Sequence, residues 1–511
     1  MNESRIEKGI KNAKVNFVFY FVMIAVTFFS RKIFLNTLGA EFIGLAGTLG
    51  NILSFLSLAE LGVGTSMCYH LYKPIREEDT SKINELMSLF GWLYRIIGLV
   101  ICAGAVVTSA FLPLILGHTG VNLGLAFFVY YSLLLSALTG YFINYRQLLL
   151  GADQKMYVVS AYLQTAGIVK TLVQMFLCTY FLNYWLWTIV ELLFAVLACI
   201  VLNWRINRTY PWLKPRPRDG RRLHKLYPGV LGTAKQIFVH RLKDFLLGRS
   251  DQILVFAFVS LKYVAYYGNY SMLIMRLSSL FQQVLGSAEA GVGNLVAEGD
   301  RKKIHDVFYE FLSTRFLVAG VLCTVLFFVV PPFIEVWIGA EYLLGTWVIL
   351  LMCVNLFINI TRSVVDTFNH AYGHYADLWA AWTEGGLNLS VTVAVAWNYG
   401  LIGILLGKTV SLFLIIVIWK PIYLFRDGFK ESVWPFWRNV GKYYVLLAVS
   451  IALTAWLATL FPYRVGSSWG AFFGFSAYIA FVMTVVYTSL MLLFTRGVKG
   501  FVIRLINHYR H

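Results

Sequence analysis

Long apolar runs separated by short charged loops recur from one end of the chain to the other. A run of about 18 or more apolar residues is long enough to cross the bilayer core as a helix. In that core only helices and closed barrels satisfy every backbone polar group, and these runs lack the alternating polarity of barrel strands. The pattern predicts about fourteen spans, near 14–38, 42–70, 85–112, 123–148, 156–182, 184–203, 237–260, 264–287, 307–331, 343–369, 377–397, 401–422, 442–461 and 470–494. The fold class is therefore an all-α polytopic membrane protein. The composition agrees: 59% hydrophobic, 13% charged and a mean hydropathy of +0.69.

Charge in the loops sets the orientation. With the N-terminus inside, the loops after even-numbered spans hold LYKPIREEDTSK, GADQK, residues 203–236, EGDRKK, KPIYLFRDGFKES and the terminal RGVKGFVIRLINHYRH. The opposite side holds few basic residues: Lys32, Lys262 and Arg464. The positive-inside bias places both termini in the cytoplasm. It also explains a net charge of +18 without nucleic acid, for which no aromatic-interleaved basic module exists. No small-residue cleavage site follows the first apolar run, so that run reads as a retained helix rather than a signal peptide. The six cysteines lie within apolar segments and form no CxxC, which points to neither a metal site nor a disulfide framework.

Residues 42–90 and 263–311 share one plan: an apolar helix, a short charged loop and a second apolar helix. Aligned without a gap, roughly a fifth of positions match. Glu77, Asp79, Lys82 and Ile83 fall on Glu298, Asp300, Lys303 and Ile304. The chain thus reads as an N-terminal six-helix lobe (1–203), a basic cytoplasmic linker (204–236), a C-terminal six-helix lobe (237–425), and two extra spans with a basic tail (426–511). The linker carries nine Lys and Arg between 205 and 235 against one acid, Asp219, with four prolines. It reads as a positive-inside anchor; contact with anionic lipid headgroups is the sharper alternative.

Ionisable groups within membrane helices are costly and mark cavities or partners. In the tenth span Asn355, Asn359, Arg362, Asp366 and Asn369 share one helical face, and Arg362 and Asp366 are four apart, within pairing reach. The eighth aligns Asn269, Arg276 and Gln283; the first aligns Asn16, Tyr20, Thr27 and Arg31; the eleventh carries Glu384 and Asn388. The seventh, the most polar, has His240, Arg241, Lys243 and Asp244 at one end and Arg249 and Asp251 deeper. Glu60, Lys170 with Gln174, and Glu191 add isolated polar groups. Interhelical glue explains any one of these. Stripes in both lobes predict a hydrated central cavity, cationic near Arg31, Arg249, Arg276 and Arg362, with Asn269, Asn355 and Asn359 beside them. Its carboxylates are Glu60, Asp251, Asp366 and Glu384. Arginine suits phosphate through bidentate, charge-assisted bonds, so an anionic substrate fits better than a cationic drug. No P-loop or HExxH occurs and no GxSxG elbow is evident, so neither a nucleotide-driven pump nor an enzyme is indicated.

The stretches RKIFLNTLGAEFIGLAG, ILSFLSLAELGVGTSMCYHLYKPI, YGNYSMLI, GNLVAEGD, PPFIEVWIGAEYLL and TEGGLNLSVTVAVAWNYGLIGILLGKTVSLFLIIVIWKPIYLF carry a resemblance over essentially the whole chain. It resembles the bacterial polysaccharide (O-antigen type) flippases of the multidrug/oligosaccharidyl-lipid/polysaccharide exporter superfamily. The resemblance implies two six-helix bundles related by a pseudo-two-fold axis plus two C-terminal helices, in the bacterial inner membrane. It implies a polyprenyl-pyrophosphate-linked oligosaccharide as substrate, turned to the outer leaflet by alternating access. Arg31 best matches the family's pyrophosphate-binding arginines; Arg249 and Arg276 match loosely. No cofactor is implied beyond a coupling Na+ or H+, and the polysaccharide polymerase and chain-length machinery are candidate partners beside membrane lipids. A cation-coupled multidrug exporter, a peptidoglycan lipid flippase and a membrane glycosyltransferase or polymerase are the alternatives. The last of these would ordinarily need a long external loop, which is lacking.

Overall fold

The computed structural model describes residues 5–60, 62–117, 119–286, 292–373, 378–462, 465, 468–495 and 497–500. The chain divides into two compact units, Met1–Ala265 and Tyr266–His511. The first begins with α1 (Arg5–Leu56), which is two helices joined across Gly39 (φ 78°, ψ 163°). A 3-10 turn at Ser57–Glu60 leads into α2 (Val63–Arg76). Then come α3 (Thr80–Leu116), α4 (Leu123–Phe142), the short α5 (Gln147–Ala152), α6 (Met156–Phe181), α7 (Tyr184–Thr209), the short α8 (Gly220–Leu226) and α9 (Gly229–Phe258). The next helix, α10 (Leu261–Gly286), carries the chain into the second unit. There follow α11 (Val292–Glu298), α12 (Arg301–Trp337), α13 (Thr346–Ala371), α14 (Leu378–Tyr399) and α15 (Leu401–Ser411). The last of these runs on through π-helical turns on either side of α16 (Lys420–Tyr423). The final pair is α17 (Trp434–Ala458) and α18 (Trp469–Phe494).

Among the described residues, ten helices are long and apolar enough to cross a membrane. Many of their side chains face outward and are apolar; on α3 alone Leu99, Val106, Val107 and Leu114 are more than half exposed. An aqueous surface does not carry apolar patches of this extent, whereas lipid-facing helices do. This is a multi-pass membrane protein. The ten do not include α9, α10 and α14, three expected spans that hold Asp251, Arg276 and Glu384 within them.

The internal repeat has a structural counterpart. Asp79 and Asp300 both cap a 37-residue helix, accepting from the backbone N–H of Lys82 (2.9 Å) and Lys303 (3.1 Å). Each follows a left-handed residue, Glu78 (φ 53°) or Gly299 (φ 76°), and Ile83 and Ile304 are both buried. An aspartate N-cap satisfies a helix-end donor that would otherwise be orphaned, so both polar loops encode the start of a long helix.

The second expected span, 42–70, is not continuous. Its helix ends at Leu56, and Gly62 at φ 90° precedes α2. That left-handed backbone cannot continue a right-handed helix, and Glu60 sits in the interruption. The basic linker packs on the first unit. Its backbone is tied to α3: Asn84 donates to the Trp212 carbonyl (3.3 Å) and accepts from Lys214 N–H (2.7 Å), and Arg216 N–H donates to Ser88 (2.7 Å). Tyr227 donates to the Glu85 carboxylate at 2.5 Å; burial, then that carboxylate, pushes its phenol up to about 12.

In the first unit α1 packs on α6, α4 and α9, and α3 on α4. In the second, α13 is the most buried span, packed on α12 and α15, while α14 pairs closely with α15. The α14–α15 contact uses Gly403 and Gly407, four apart. A Cβ on either would meet α14 backbone at Ala396 or at Asn388 and Thr392. Small residues at this spacing let membrane helices approach backbone to backbone. Gly44 plays the same part in the first unit, since a Cβ there would overlap the Leu261 carbonyl. Backbone cannot rotate aside, so Gly44→Ala is expected to lower stability by about 1–3 kcal/mol. Thermal unfolding of the purified variant checks this, and an unchanged midpoint would show that the α1–α10 approach is looser than described.

Candidate functional site

Among the described residues, three groups of polar side chains on the membrane-spanning helices stand out. The first is the interruption after α1. Tyr94 on α3 and Tyr141 on α4 both donate to the Glu60 carboxylate, Tyr94 to Oε1 and Tyr141 to Oε2, the latter at 2.6 Å. Both tyrosines are buried, at 7% and 6% exposure. They line a cavity of about 240 Å³ with Glu60, Phe90, Tyr145 and Gln147. The helix break frees Glu60 from a regular helical position, so one carboxylate bridges two neighbouring helices. The two donors are neutral hydroxyls, and Glu60 is the acidic group of this cavity.

The second place is in the second unit. Arg362 on α13 donates through Nε to Asp366 Oδ2 at 2.9 Å, and its Nη1 lies 4.0 Å from Glu384 Oε1 on α14. The Glu384 side chain is 4% exposed, and those of Arg362 and Asp366 about a fifth. The i,i+4 pair expected on α13 thus forms and gains a second carboxylate from the neighbouring helix. Of the rest of the α13 stripe, Asn355 and Asn369 meet the α15–α16 segment and Asn359 bonds within α13. Thr409 donates to Asn355 Oδ1 (2.9 Å), Asn359 donates to the Asn355 carbonyl (2.8 Å), and Asn369 donates to the Lys420 carbonyl (3.5 Å). On α14, Glu384, Asn388 and Thr392 form one buried line.

The third place is between α6 and α7. Lys170 and Glu191 lie 2.6 Å apart, and Gln174 donates to the other carboxylate oxygen at 3.1 Å. These groups are not isolated, as their sequence positions alone would have it. Residues on consecutive antiparallel spans meet in space, which a linear reading of each span does not reveal.

The remaining candidates are placed as follows. Arg31 is partly buried on α1 and donates through Nη2 to the Ala265 carbonyl at 3.0 Å. Asp251 on α9 and Asn269 on α10 are buried, whereas Arg276 on α10 is exposed. The side chains of Arg249, His240, Arg241, Lys243, Asp244 and Gln283 lie outside the described residues. Within a unit, then, the structure brings together Arg362, Asp366 and Glu384, and Asn355 with Asn359. Sequence reasoning missed Tyr94, Tyr141 and Thr409. A tyrosine or threonine in an apolar run carries no charge to mark it, and only the carboxylate it serves gives it away.

The fold matches solved structures of transporters. The lipid II flippase MurJ in its inward closed conformation aligns with a TM-score of 0.65 at 15% identity, covering 94% of this chain and 99% of that one. An inward-facing multidrug resistance MATE family transporter of the MOP superfamily aligns with a TM-score of 0.55 at 15% identity, covering 79% of this chain and 96% of that one. No protein-family model matches the sequence, and no curated protein sequence does. The chain has the all-helical fold that MurJ and MATE transporters share.

Proposed function

We propose that this protein is a flippase that moves a polyprenyl-pyrophosphate-linked oligosaccharide from the cytoplasmic to the outer leaflet of the bacterial inner membrane. The observation that carries the reading is the extent of the likeness to a lipid flippase, which takes in 94% of the chain. The drug-transporter likeness takes in 79%, and the difference is comparable in length to residues 434–511. The oligosaccharide, rather than the peptidoglycan precursor, comes from the resemblance to polysaccharide flippases.

Arg31, Arg249, Arg276 and Arg362, with Asn269, Asn355 and Asn359, are assigned to the pyrophosphate and glycan, because an anionic headgroup crossing the bilayer interior needs compensation. Glu60, Asp251, Asp366 and Glu384 are assigned to coupling, by a proton or Na+. Transport of this kind needs a site and two orientations with a differential energy, and no covalent step. Both termini are assigned to the cytoplasm, on the positive-inside bias, and the polymerase and chain-length machinery are the expected partners.

A substrate comparison tests the reading against its drug-exporter rival. Purified protein in nanodiscs is titrated with polyprenyl pyrophosphate, and cells expressing the protein are followed for ethidium accumulation. Saturable lipid binding with unchanged ethidium accumulation is expected. Active ethidium efflux without lipid binding would transfer the assignment to the multidrug class.

A further inference from the structure

A further cavity in the first unit belongs to none of the polar sites above. It measures about 900 Å³ and lies where residues 76–80, 153–155 and 209–212 meet beyond the ends of α2, α6 and α7. That volume is near the top of the ~300–1,000 Å³ range of small-molecule sites. We propose that this cavity binds the sugar portion of the lipid-linked substrate at the membrane surface, before or after translocation. The inference rests on the flippase reading and assigns its glycan a recognition site outside the membrane span.

The floor of the cavity is preorganised around Asp153. Lys8 Nζ lies 2.7 Å from its Oδ1, and Lys155 Nζ and the Tyr210 hydroxyl each lie 2.7 Å from its Oδ2. Lys8 also donates to the Asp153 carbonyl at 3.1 Å. Asn12 ties the same loop from α1: it donates to the Gln154 carbonyl (2.9 Å) and accepts from Tyr157 N–H (2.6 Å). Burial raises the Asp153 carboxyl, but the bonds from Lys155, Lys8 and Tyr210 outweigh it and hold the group below its ordinary value. A floor fixed in this way spends little of a ligand's binding energy on ordering the protein.

The rim is built differently. Tyr72 and Trp212 line the cavity and keep 56% and 37% of their surface exposed. Arg76 also lines it, is exposed, and has no ion-pair partner among the described residues. Flat aromatic faces carry negative quadrupole density and attract the C–H face of a pyranose ring. Arg76 and Lys155 supply donors for hydroxyl or carboxylate groups, and Arg76 does so as a rigid fork. A phospholipid headgroup fits the position less well. Its acyl chains would need an adjoining apolar span, whereas the lining residues come from loops and helix ends. A glycan hanging in water from a membrane-held carrier has the reach and the chemistry.

The test uses the full chain in nanodiscs and three probes: the lipid-linked oligosaccharide pool extracted from the source cells, the glycan released from that pool by mild acid, and polyprenyl pyrophosphate without sugar. Released glycan should bind the wild type in calorimetry. Trp212→Ala should weaken that binding about tenfold, the scale of a lost aromatic contact. Trp212→Phe should restore most of it, and Arg76→Ala should weaken it independently. Sugar-free polyprenyl pyrophosphate should bind wild type and Trp212→Ala alike. Glycan that fails to bind, or binds wild type, Trp212→Ala and Arg76→Ala equally, overturns the site. The two readings separate in the transport assay. A wild type that does not flip the intact pool defeats the flippase assignment, whereas flipping with glycan binding unmoved by these variants defeats only this cavity.

Discussion

Arg362→Ala should unfold the second unit at markedly lower temperature and reduce transport at least about tenfold. The side chain lies beside both carboxylates, 2.9 Å from Asp366 and 4.0 Å from Glu384. Its removal leaves two carboxylates close together with Glu384 almost fully enclosed. Breaking a buried ion pair by deleting one partner costs about 3–5 kcal/mol, chiefly because an uncompensated charge stays behind. The double variant Arg362→Ala/Glu384→Gln should recover a large part of that loss, since groups in one network are not additive. Thermal unfolding in detergent reads the first effect. Single variants whose losses simply add would contradict the coupling. Arg362→Lys separates charge from shape, because it keeps the cation and lacks the planar fork. It should restore stability more fully than transport.

The second large effect is expected at Glu60. In Glu60→Ala, the buried hydroxyls of Tyr94 and Tyr141 lose their acceptor. A buried donor left unsatisfied costs about 1–3 kcal/mol, so the variant should be both less stable and inactive. Glu60→Gln is the more informative change. Its amide oxygen can still accept from a tyrosine, so stability should stay near wild type, while the charge needed to hold a proton or cation is gone. Transport by Glu60→Gln should fall at least about tenfold and lose its response to an imposed ion gradient. Transport at the wild-type rate, with the gradient response intact, would make Glu60 a structural bridge between α3 and α4 and nothing more.

The sequence revealed most of the fold through the simplest signal. Apolar runs set by bilayer thickness have only one structural solution, so α3, α4, α6, α7, α12, α13 and the last two helices fall close to their expected positions. The repeat was visible because Asp79 and Asp300 cap helices, and a cap is a local, sequence-encoded event. The interruption after Leu56 was hidden, since Ser57–Glu60 belongs to a run that is apolar overall. It depends on Gly62 and on two tyrosines distant in sequence.

The site was legible to the same degree. Arg362 and Asp366 lie on one helix, so their spacing alone predicts the pair. Glu384 joins from another helix, and Lys170 meets Glu191 across a turn. Neither meeting can be read from periodicity within a single span. The surface cavity was hidden for a related reason. Lys8, Asp153 and Tyr210 come from three separate loops or helix ends, and of the groups around Asp153 only Lys155 is its neighbour in sequence.

Flipping in proteoliposomes tests the transport assignment most directly. A polyprenyl-pyrophosphate-linked oligosaccharide is incorporated on one leaflet, and its arrival on the other is followed with a membrane-impermeant lectin, with and without imposed ion gradients. Vesicles containing the protein should expose the glycan faster than protein-free vesicles, and Arg31→Ala and Arg276→Ala at equal membrane levels should slow that exposure. Equal rates with and without the protein, across several glycans and gradients, would contradict the flippase assignment.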